Sequence, residues 1–221
     1  MRWLKIWGMV LPGVLIAFTP PTIWAEPGEQ TAQKSPQATE AAAVVAKLNQ
    51  ALLKAMQRGK ELGYAGRYKL LESVVKEVYD FNSISHYVLG SHWKQLSPEE
   101  KQTFVQKMTE FGIAAYAAEF NDYAGEQFKI LGEEPFRTQL KVVKALLEVP
   151  DGQNVQFVYI LKPTPDGWKI IDVRYDGVSD LALKRAQFSG ILAKEGFNSL
   201  IAKIDEKIAN YAKGQLEEKK S

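Results

Sequence analysis

The amino-acid sequence predicts an α+β domain, in which helices come first, a meander of antiparallel strands follows and further helices close the chain. Three observations carry this prediction. From Thr39 to Tyr123 apolar residues recur at steps of three and four, which is the period of an amphipathic helix. From Gln127 they alternate with polar residues, as in a half-buried strand. After Ser179 the helical period returns, so we expect a four-stranded sheet between two groups of helices.

Four helices are predicted ahead of the sheet, at residues 39–62, 67–79, 80–90 and 97–123. Gly63 is expected to end the first of them, because glycine is a poor helix former. The fourth opens with a capping motif, in which Ser97 is the cap, Pro98 the first helical residue and Glu100 the third. The start of this helix is therefore well defined.

The sheet is predicted from four strands at residues 127–131, 138–149, 155–162 and 168–175. The pairs Asp151-Gly152 and Asp166-Gly167 are turn signals between successive strands. Ser179 is expected to cap a helix that extends to residue 194. A last helix follows at residues 198–213.

The first 25 residues have the pattern of a secretory signal peptide. Arg2 and Lys5 are basic, the stretch from Ile6 to Phe18 is mostly apolar, and Ala25 is a small residue at the expected cleavage point. That apolar stretch is shorter than the about 20 residues that span a bilayer. The predicted organisation is a cleavable signal at 1–25, a flexible leader at 26–38, a single domain at 39–214 and a charged tail at 215–221.

Composition argues against a nucleic-acid partner and against a disulfide scaffold. The chain has 28 lysines and arginines against 26 acidic residues, and the predicted signal peptide holds two of the bases, Arg2 and Lys5, and no acid. The remainder is formally neutral, whereas nucleic-acid binding needs a concentrated basic face. The chain has no cysteine, so an exported form would depend on its core alone.

Candidate catalytic and metal-binding residues are few. His86 and His92 do not share a helical face, and no cysteine or paired acid completes a metal site. Ser179 stands in a Gly-Val-Ser turn, where helix capping explains it, and not in a Gly-x-Ser-x-Gly nucleophile motif. Asp172 and Asp176 flank the end of a strand, where acids are common. We therefore expect neither an enzyme nor a cofactor.

Aromatic residues are the positive signal, because they recur on predicted helices and strands alike. They include Phe104, Phe111, Tyr116, Phe120, Phe128, Phe157, Tyr159, Trp168, Tyr175, Phe188 and Phe197. Such residues either fill a close-packed core or line a cavity that stays open for an apolar ligand. The residue pattern does not separate these two possibilities.

Several motifs, taken in order, resemble the MlaC (toluene-tolerance) family of periplasmic lipid-binding proteins. They are Asp80-Phe81, Val88-Leu89-Gly90 with Trp93, Leu96-Ser97-Pro98-Glu99-Glu100, Gly167-Trp168-Lys169-Ile170-Ile171-Asp172-Val173, Asp176-Gly177-Val178-Ser179, Arg185 with Phe188, and Glu195-Gly196-Phe197-Asn198. Residues 62–68 and 125–134 are similar to a narrower branch, the hopanoid-associated HpnM proteins. Together the motifs cover nearly all of the chain after the signal peptide.

The resemblance implies a soluble periplasmic carrier of a phospholipid or a hopanoid-type lipid. It implies a twisted antiparallel four-stranded sheet, wrapped by N-terminal and C-terminal helices around an apolar cavity. An inner-membrane lipid transporter complex is the implied partner, with an outer-membrane complex as a further one. The side chains expected to contact lipid tails are Phe104, Met108, Phe111, Tyr116, Phe157, Tyr159, Ile170 and Phe188. Lys184 and Arg185 are expected to contact a headgroup or a partner complex.

Two other functions remain open on the residues alone. One is a small α+β enzyme acting on an apolar substrate, which would need a buried polar pair such as Asp172 and Tyr159. The other is an accessory interaction subunit with a solid core. A lipid retained through purification distinguishes the carrier from the accessory subunit.

Overall fold

A computed structural model describes residues 40–150, 152–175 and 177–215 of the chain. Its helices are α1 (Glu40–Gln57), α2 (Gly59–Val78), α3 (Phe81–Leu89), α4 (Pro98–Glu119), α5 (Asp180–Glu195) and α6 (Phe197–Ala212), with a 3₁₀ helix at Gly90–Gln95. The predicted signal peptide and leader, and the tail after Gln215, lie outside the described residues. Within the described part of the chain, no helix is both long and apolar enough to cross a bilayer.

The strands are β1 (Gln127–Phe136), β2 (Leu140–Glu148), β3 (Val155–Thr164), β4 (Gly167–Tyr175) and β5 (Val178–Ser179). They are hydrogen-bonded in chain order, and every neighbouring pair is antiparallel. The predicted α+β fold is confirmed, and the sheet contains one strand more than the four predicted. After β4 the chain turns back, so that Val178 pairs with Tyr175 before α5 begins.

Both edges of the sheet are irregular or short. β1 forms one edge, and its register with β2 shifts between Ile130 and Gly132, which marks a β-bulge. Pro135, which has no N–H to donate, lies in the same strand. The opposite edge is the two-residue β5. Neither edge therefore offers a long, straight row of unpaired backbone groups.

The first helices are interrupted at Gly63, as predicted, and at one further point. Gly63 has a non-helical backbone, with a φ of 58° and a ψ of −174°, so it ends one helical segment and α2 resumes after this kink. The further break lies between Gln57 and Gly59. A Cβ atom on Gly59 would lie 2.0 Å from the carbonyl oxygen of Asn121, so the close approach of the chain after α4 excludes a side chain there. This contact is tertiary, and local sequence pattern does not reveal it.

Side-chain caps fix two helix starts as predicted. The hydroxyl of Ser97 accepts a hydrogen bond from the N–H of Glu100, whose carboxylate accepts one from the N–H of Ser97. Ser179 caps α5 by accepting from the N–H of Ala182 at 3.0 Å. The end of α4 is earlier than the predicted residue 123, since Phe120 leaves the helix and turns into the core.

The buried side chains form two hydrophobic clusters. The first cluster lies between the sheet, α1, α2 and one face of α4. The second cluster joins α3, the other face of α4, α5 and α6. Four partly buried rings pack against both clusters, and we call them the junction aromatics: Tyr64, Tyr68, Tyr79 and Phe81. The interior is therefore divided in two, with aromatic side chains along the division.

Candidate functional site

A cleft of about 780 Å³ opens between α2, the α2–α3 junction, α4 and the β3–β4 turn. Its apolar lining comes from Val105 and three of the junction aromatics, Tyr68, Tyr79 and Phe81. The other lining residues are polar: Glu72, Lys76, Asp80, Asn82, Gln106, Thr109, Glu110, Thr164, Asp166 and Lys169. The volume falls in the range of ligand pockets, about 300–1,000 Å³. The lining of the cleft thus has two parts. One part is aromatic rings that contact both clusters, and the other is polar residues of mixed charge.

Hydrogen bonds hold the charged groups around the cleft. The ammonium of Lys162 lies 3.0 Å from Oδ2 of Asp80 and donates to the hydroxyl of Ser83 at 2.7 Å. Burial raises the pKa of the Asp80 carboxyl, but hydrogen bonds from Ser83 and Lys162 outweigh burial, and the pKa is lowered. Lys169 donates to the backbone carbonyl of Glu77 at 2.5 Å. The β3–β4 hairpin is therefore tied to the end of α2 and the start of α3.

A continuous series of aromatic rings leads from the cleft into the first cluster. Successive centroids are 5.5 Å apart for Phe81–Tyr79, 6.2 Å for Tyr79–Tyr116, 5.7 Å for Tyr116–Phe120, 6.3 Å for Phe120–Phe128 and 6.0 Å for Phe128–Phe157. These separations are typical of interacting ring pairs, which prefer about 4.5–7 Å. An apolar surface therefore continues from the cleft lining to the inner face of the sheet.

Polar groups of four tyrosines interrupt this apolar surface. Burial raises the pKa of Tyr79, Tyr116, Tyr159 and Tyr175 far above the usual value of 10.0. The hydroxyls of Tyr79 and Tyr116 are hydrogen-bonded to each other, and that of Tyr159 donates to Oδ1 of Asn49 at 3.2 Å. Tyr79 and Tyr175 are only partly buried as whole residues, and Tyr79 lines the cleft.

All eight residues predicted to contact lipid tails are buried. The first cluster contains Tyr116, Phe157, Tyr159 and Ile170. The second cluster contains Phe104, Met108, Phe111 and Phe188. The lining of the cleft includes none of the eight. A ligand that contacted both sets would therefore lie between the clusters, where the junction aromatics pack.

The junction aromatics are site candidates that the sequence analysis did not single out. Tyr64 and Tyr68 follow the kink at Gly63 and lie one helical turn apart, so they share a face of α2. Tyr79 and Phe81 stand on either side of the α2–α3 break. In the sequence, the available signal for these residues was their position beside a kink and beside a helix break. Their contact with both clusters is visible only in the tertiary packing.

Lys184 and Arg185 make contacts within the fold and do not line the cleft. The ammonium of Lys184 donates to Asp180 at 2.5 Å and lies 5.3 Å from the ring centroid of Phe111. The guanidinium of Arg185 donates to the carbonyl oxygen of Tyr87 at 2.8 Å and lies 4.9 Å from the ring centroid of the same residue. Arg185 therefore joins α5 to α3.

Three of the residues considered for catalysis, Asp172, Ser179 and Tyr159, make bonds that hold the fold, and Asp176 lies outside the described residues. Asp172 accepts hydrogen bonds from the hydroxyl of Ser179 at 2.8 Å and from the N–H of Leu181 at 3.1 Å, which hold the start of α5. Tyr159 is hydrogen-bonded to Asn49, whereas Asp172 is bonded to Ser179 and Leu181. The two members of the polar pair that an enzyme would need therefore have different partners. Among the described residues, no group of three or more His, Cys, Asp or Glu side chains is placed to hold a metal.

Comparison with known proteins identifies the family. The family model described as "MlaC protein" matches residues 46–206, which is most of the chain. The chain belongs to the MlaC family. This confirms the family resemblance of the sequence motifs, while the assignment to the narrower HpnM branch stays a prediction.

Two similar proteins carry informative names. The intermembrane phospholipid transport system binding protein MlaC of Haemophilus influenzae is 28% identical over 128 residues, which are 54% of this MlaC-family chain and 58% of that relative. The chain thus spans little more than half the length of this relative. A phospholipid-binding protein from Ralstonia solanacearum, solved in complex with a phospholipid, has a TM-score of 0.67 at 22% identity. The likeness covers 79% of this chain and 99% of that one, and it shows a shared fold.

Proposed function

We propose that this MlaC-family protein is a periplasmic carrier that shuttles a phospholipid between an inner-membrane transporter complex and the outer membrane. The observation that carries the proposal is the cleft, whose aromatic lining packs against both hydrophobic clusters. A lipid tail that enters the cleft would meet the division between the clusters, along which the junction aromatics lie. The phospholipid bound to the Ralstonia solanacearum protein of the same fold supports this class of ligand.

The hydrophobic effect explains why such a lipid needs a carrier. Burying about 16 methylenes at roughly 0.8 kcal/mol each is worth on the order of 13 kcal/mol relative to water. An apolar space between the clusters would give the lipid tail about the same favourable free energy of burial as the bilayer does. Exchange with a membrane complex can then be nearly balanced in free energy, so the carrier itself requires no catalytic residue.

The polar lining of the cleft suits a headgroup. Lys76 and Lys169 can bind a phosphate, and Glu72, Asp80 and Asp166 can accept hydrogen bonds from an amine or from hydroxyls. A lipid with its tails between the clusters and its headgroup in the cleft would use both parts of the lining. A hopanoid-type lipid is the alternative cargo, since its polycyclic body needs the same apolar space.

Location and partners follow from the same proposal. The pattern at 1–25 would export the chain, and the family of the relatives supports a periplasmic location. An inner-membrane lipid transporter complex would load or unload the carrier, and an outer-membrane complex would do the converse. Lys184 and Arg185 are proposed contacts for such a complex, because electrostatic encounter depends on surface cations even when they also serve the fold.

A retained lipid is the direct test. The exported protein, purified from the periplasm without detergent, should show near-stoichiometric lipid by native mass spectrometry and by solvent extraction. Thr109 lines the cleft, so Thr109→Trp should fill it and reduce the lipid content several-fold. Lys54 is exposed on α1, and Lys54→Trp adds the same bulk outside the cleft as the matched control. A wild-type protein that is consistently free of lipid would contradict the carrier function.

A further inference from the structure

Asn49 is a polar residue inside the first hydrophobic cluster, on the face of α1 that packs against the sheet. Its side chain is 3% exposed, and that of its partner Tyr159 is 1% exposed. Oδ1 of Asn49 accepts from the hydroxyl of Tyr159, but Nδ2 is buried and has no hydrogen-bond partner among the described residues. Buried polar groups are nearly always paired, because an unpaired one is costly. The unpaired N–H of Asn49 therefore indicates a site for a hydrogen-bond acceptor.

Hydrogen-bond accounting shows that donors are in excess in this region. A primary amide has two N–H donors, and each phenol adds one O–H. The Tyr79–Tyr116 pair shares a single hydrogen bond, so one of its two hydroxyl hydrogens is not used within the pair. If the amide of Asn49 is flipped, Nδ2 donates to the hydroxyl oxygen of Tyr159. The hydroxyl hydrogen of Tyr159 then has no acceptor. A donor is left over in both orientations.

The tyrosines connect this polar region to the cleft. Tyr79 lines the cleft and bonds to Tyr116 behind it. Burial holds the pKa of the phenols of Tyr79, Tyr116 and Tyr159 far above neutrality, so all of them keep their O–H donors. Ring contacts connect Tyr116 to Tyr159 through Phe120, Phe128 and Phe157, with successive centroids 5.7, 6.3, 6.0 and 6.1 Å apart. Donors therefore extend from the cleft to Asn49 along an otherwise apolar surface.

We propose that Asn49 and the hydroxyls of Tyr79, Tyr116 and Tyr159 form a buried subsite for the ester carbonyl oxygen of an acyl lipid. A carbonyl oxygen accepts two hydrogen bonds and donates none, which matches a site with surplus donors. The ester lies between headgroup and tail, so a tail inserted past Tyr79 brings its carbonyl to the hydroxyls. The inference rests on the proposed carrier function and specifies which lipid atoms the protein recognises.

A pair of lipids that differ only in their two ester carbonyl groups provides the test. Diester and diether phosphatidylglycerols with the same tails would be offered together in equal amounts, as mixed vesicles, to the delipidated protein. Native mass spectrometry then gives the ratio of the two bound lipids. The wild-type protein should favour the diester by about three- to ten-fold, as expected for one or two buried hydrogen bonds. Asn49→Leu, which keeps the side-chain size, should bring the ratio close to one, as should Tyr116→Phe.

Tyr211→Phe is the matched control, because it removes a phenolic hydroxyl from the second cluster and should leave the ratio unchanged. Equal binding of both lipids by the wild-type protein would overturn the subsite while leaving the carrier function intact. A preference for the diester that survives in Asn49→Leu and Tyr116→Phe would also overturn it. Binding of neither lipid would instead refute the carrier function on which the subsite depends.

Discussion

Tyr79 is the residue at which the cleft and the buried hydroxyls meet. It directly follows α2, where its N–H bonds to the carbonyl oxygen of Val75, and its ring lines the cleft. Its hydroxyl bonds to Tyr116 behind that lining. One side chain therefore presents an apolar face to a ligand and a polar atom to the interior, which an aliphatic residue at this position would not do.

We expect the buried phenols to make the protein unstable in alkali. Tyr79, Tyr116, Tyr159 and Tyr175 have pKa values in the folded state above the unfolded value of about 10. Unfolding above that pH releases protons, so the stabilisation is complete below pH about 10 and is lost as the pH rises towards the folded-state pKa. Urea unfolding at about pH 9 and about pH 11 measures the loss, which Tyr116→Phe should reduce. The exposed Tyr123 supplies the control, and an unaltered pH dependence in Tyr116→Phe would contradict the expectation.

The α2–α3 break is the element that attaches the helices to the hairpin beside the cleft. Asp80 caps α3 by accepting from the N–H of Ser83 at 2.9 Å, and its own N–H donates to the carbonyl oxygen of Ile170 at 3.0 Å. Its carboxylate also pairs with Lys162 on β3. Asp80 thus links the start of α3 to strands β3 and β4 at one wall of the cleft.

Asp80→Asn should lower the free energy of unfolding at neutral pH by about 1 kcal/mol, because a neutral amide accepts weaker hydrogen bonds than a carboxylate. The folded-state pKa of Asp80 lies below its ordinary value of 3.8. Its stabilisation is therefore present above that pH and is lost as the pH falls through the folded-state pKa. Denaturant unfolding at a series of pH values should show wild type and variant converging in acid. Glu61→Gln, at an exposed pair with Arg58, should change little at any pH.

The elements that the sequence predicts well are those whose signals are local. The capping residues Ser97 and Ser179 mark helix starts through bonds to residues three positions away. The end of β1 is missed because its hairpin turns through Arg137 and Gln139, two non-glycine residues with positive φ that no turn motif announces. The break before Gly59 is missed because no local pattern marks it, and the contact with Asn121 that requires glycine there is distant in sequence.

At the scale of the whole molecule, the position of the cleft could not be predicted from the sequence. The motif order predicts a family with an apolar ligand, and the eight predicted residues are all interior, but none of them lines the cleft. The cleft itself is assembled from α2, α4 and the β3–β4 turn. Its lining includes residues such as Thr109 and Lys169, which look like ordinary surface positions in the sequence. Their meeting depends on how the helices pack on the sheet.

Met108 tests whether tails reach the second cluster. It is 1% exposed, and Met108→Glu would bury an unpaired charge at a cost of several kcal/mol. We expect this variant to lose bound lipid, whereas Met108→Leu, a volume-conserving change that costs less than about 1.5 kcal/mol, should retain it. Circular dichroism establishes that each variant is folded, and extraction with mass spectrometry measures its lipid. A folded Met108→Glu protein with wild-type lipid content would remove Met108 from the binding surface.

The irregular border of the sheet bears on the opening that the proposed carrier function requires. Such an opening would expose apolar side chains for a time, and a straight strand edge beside them would let a second copy add its own strand and hold the opened form. The bulge at Leu131 and the missing donor of Pro135 interrupt that template along β1, and β5 is too short to provide one. Under the proposed carrier function, this border would keep copies that open for lipid exchange from joining through their sheets.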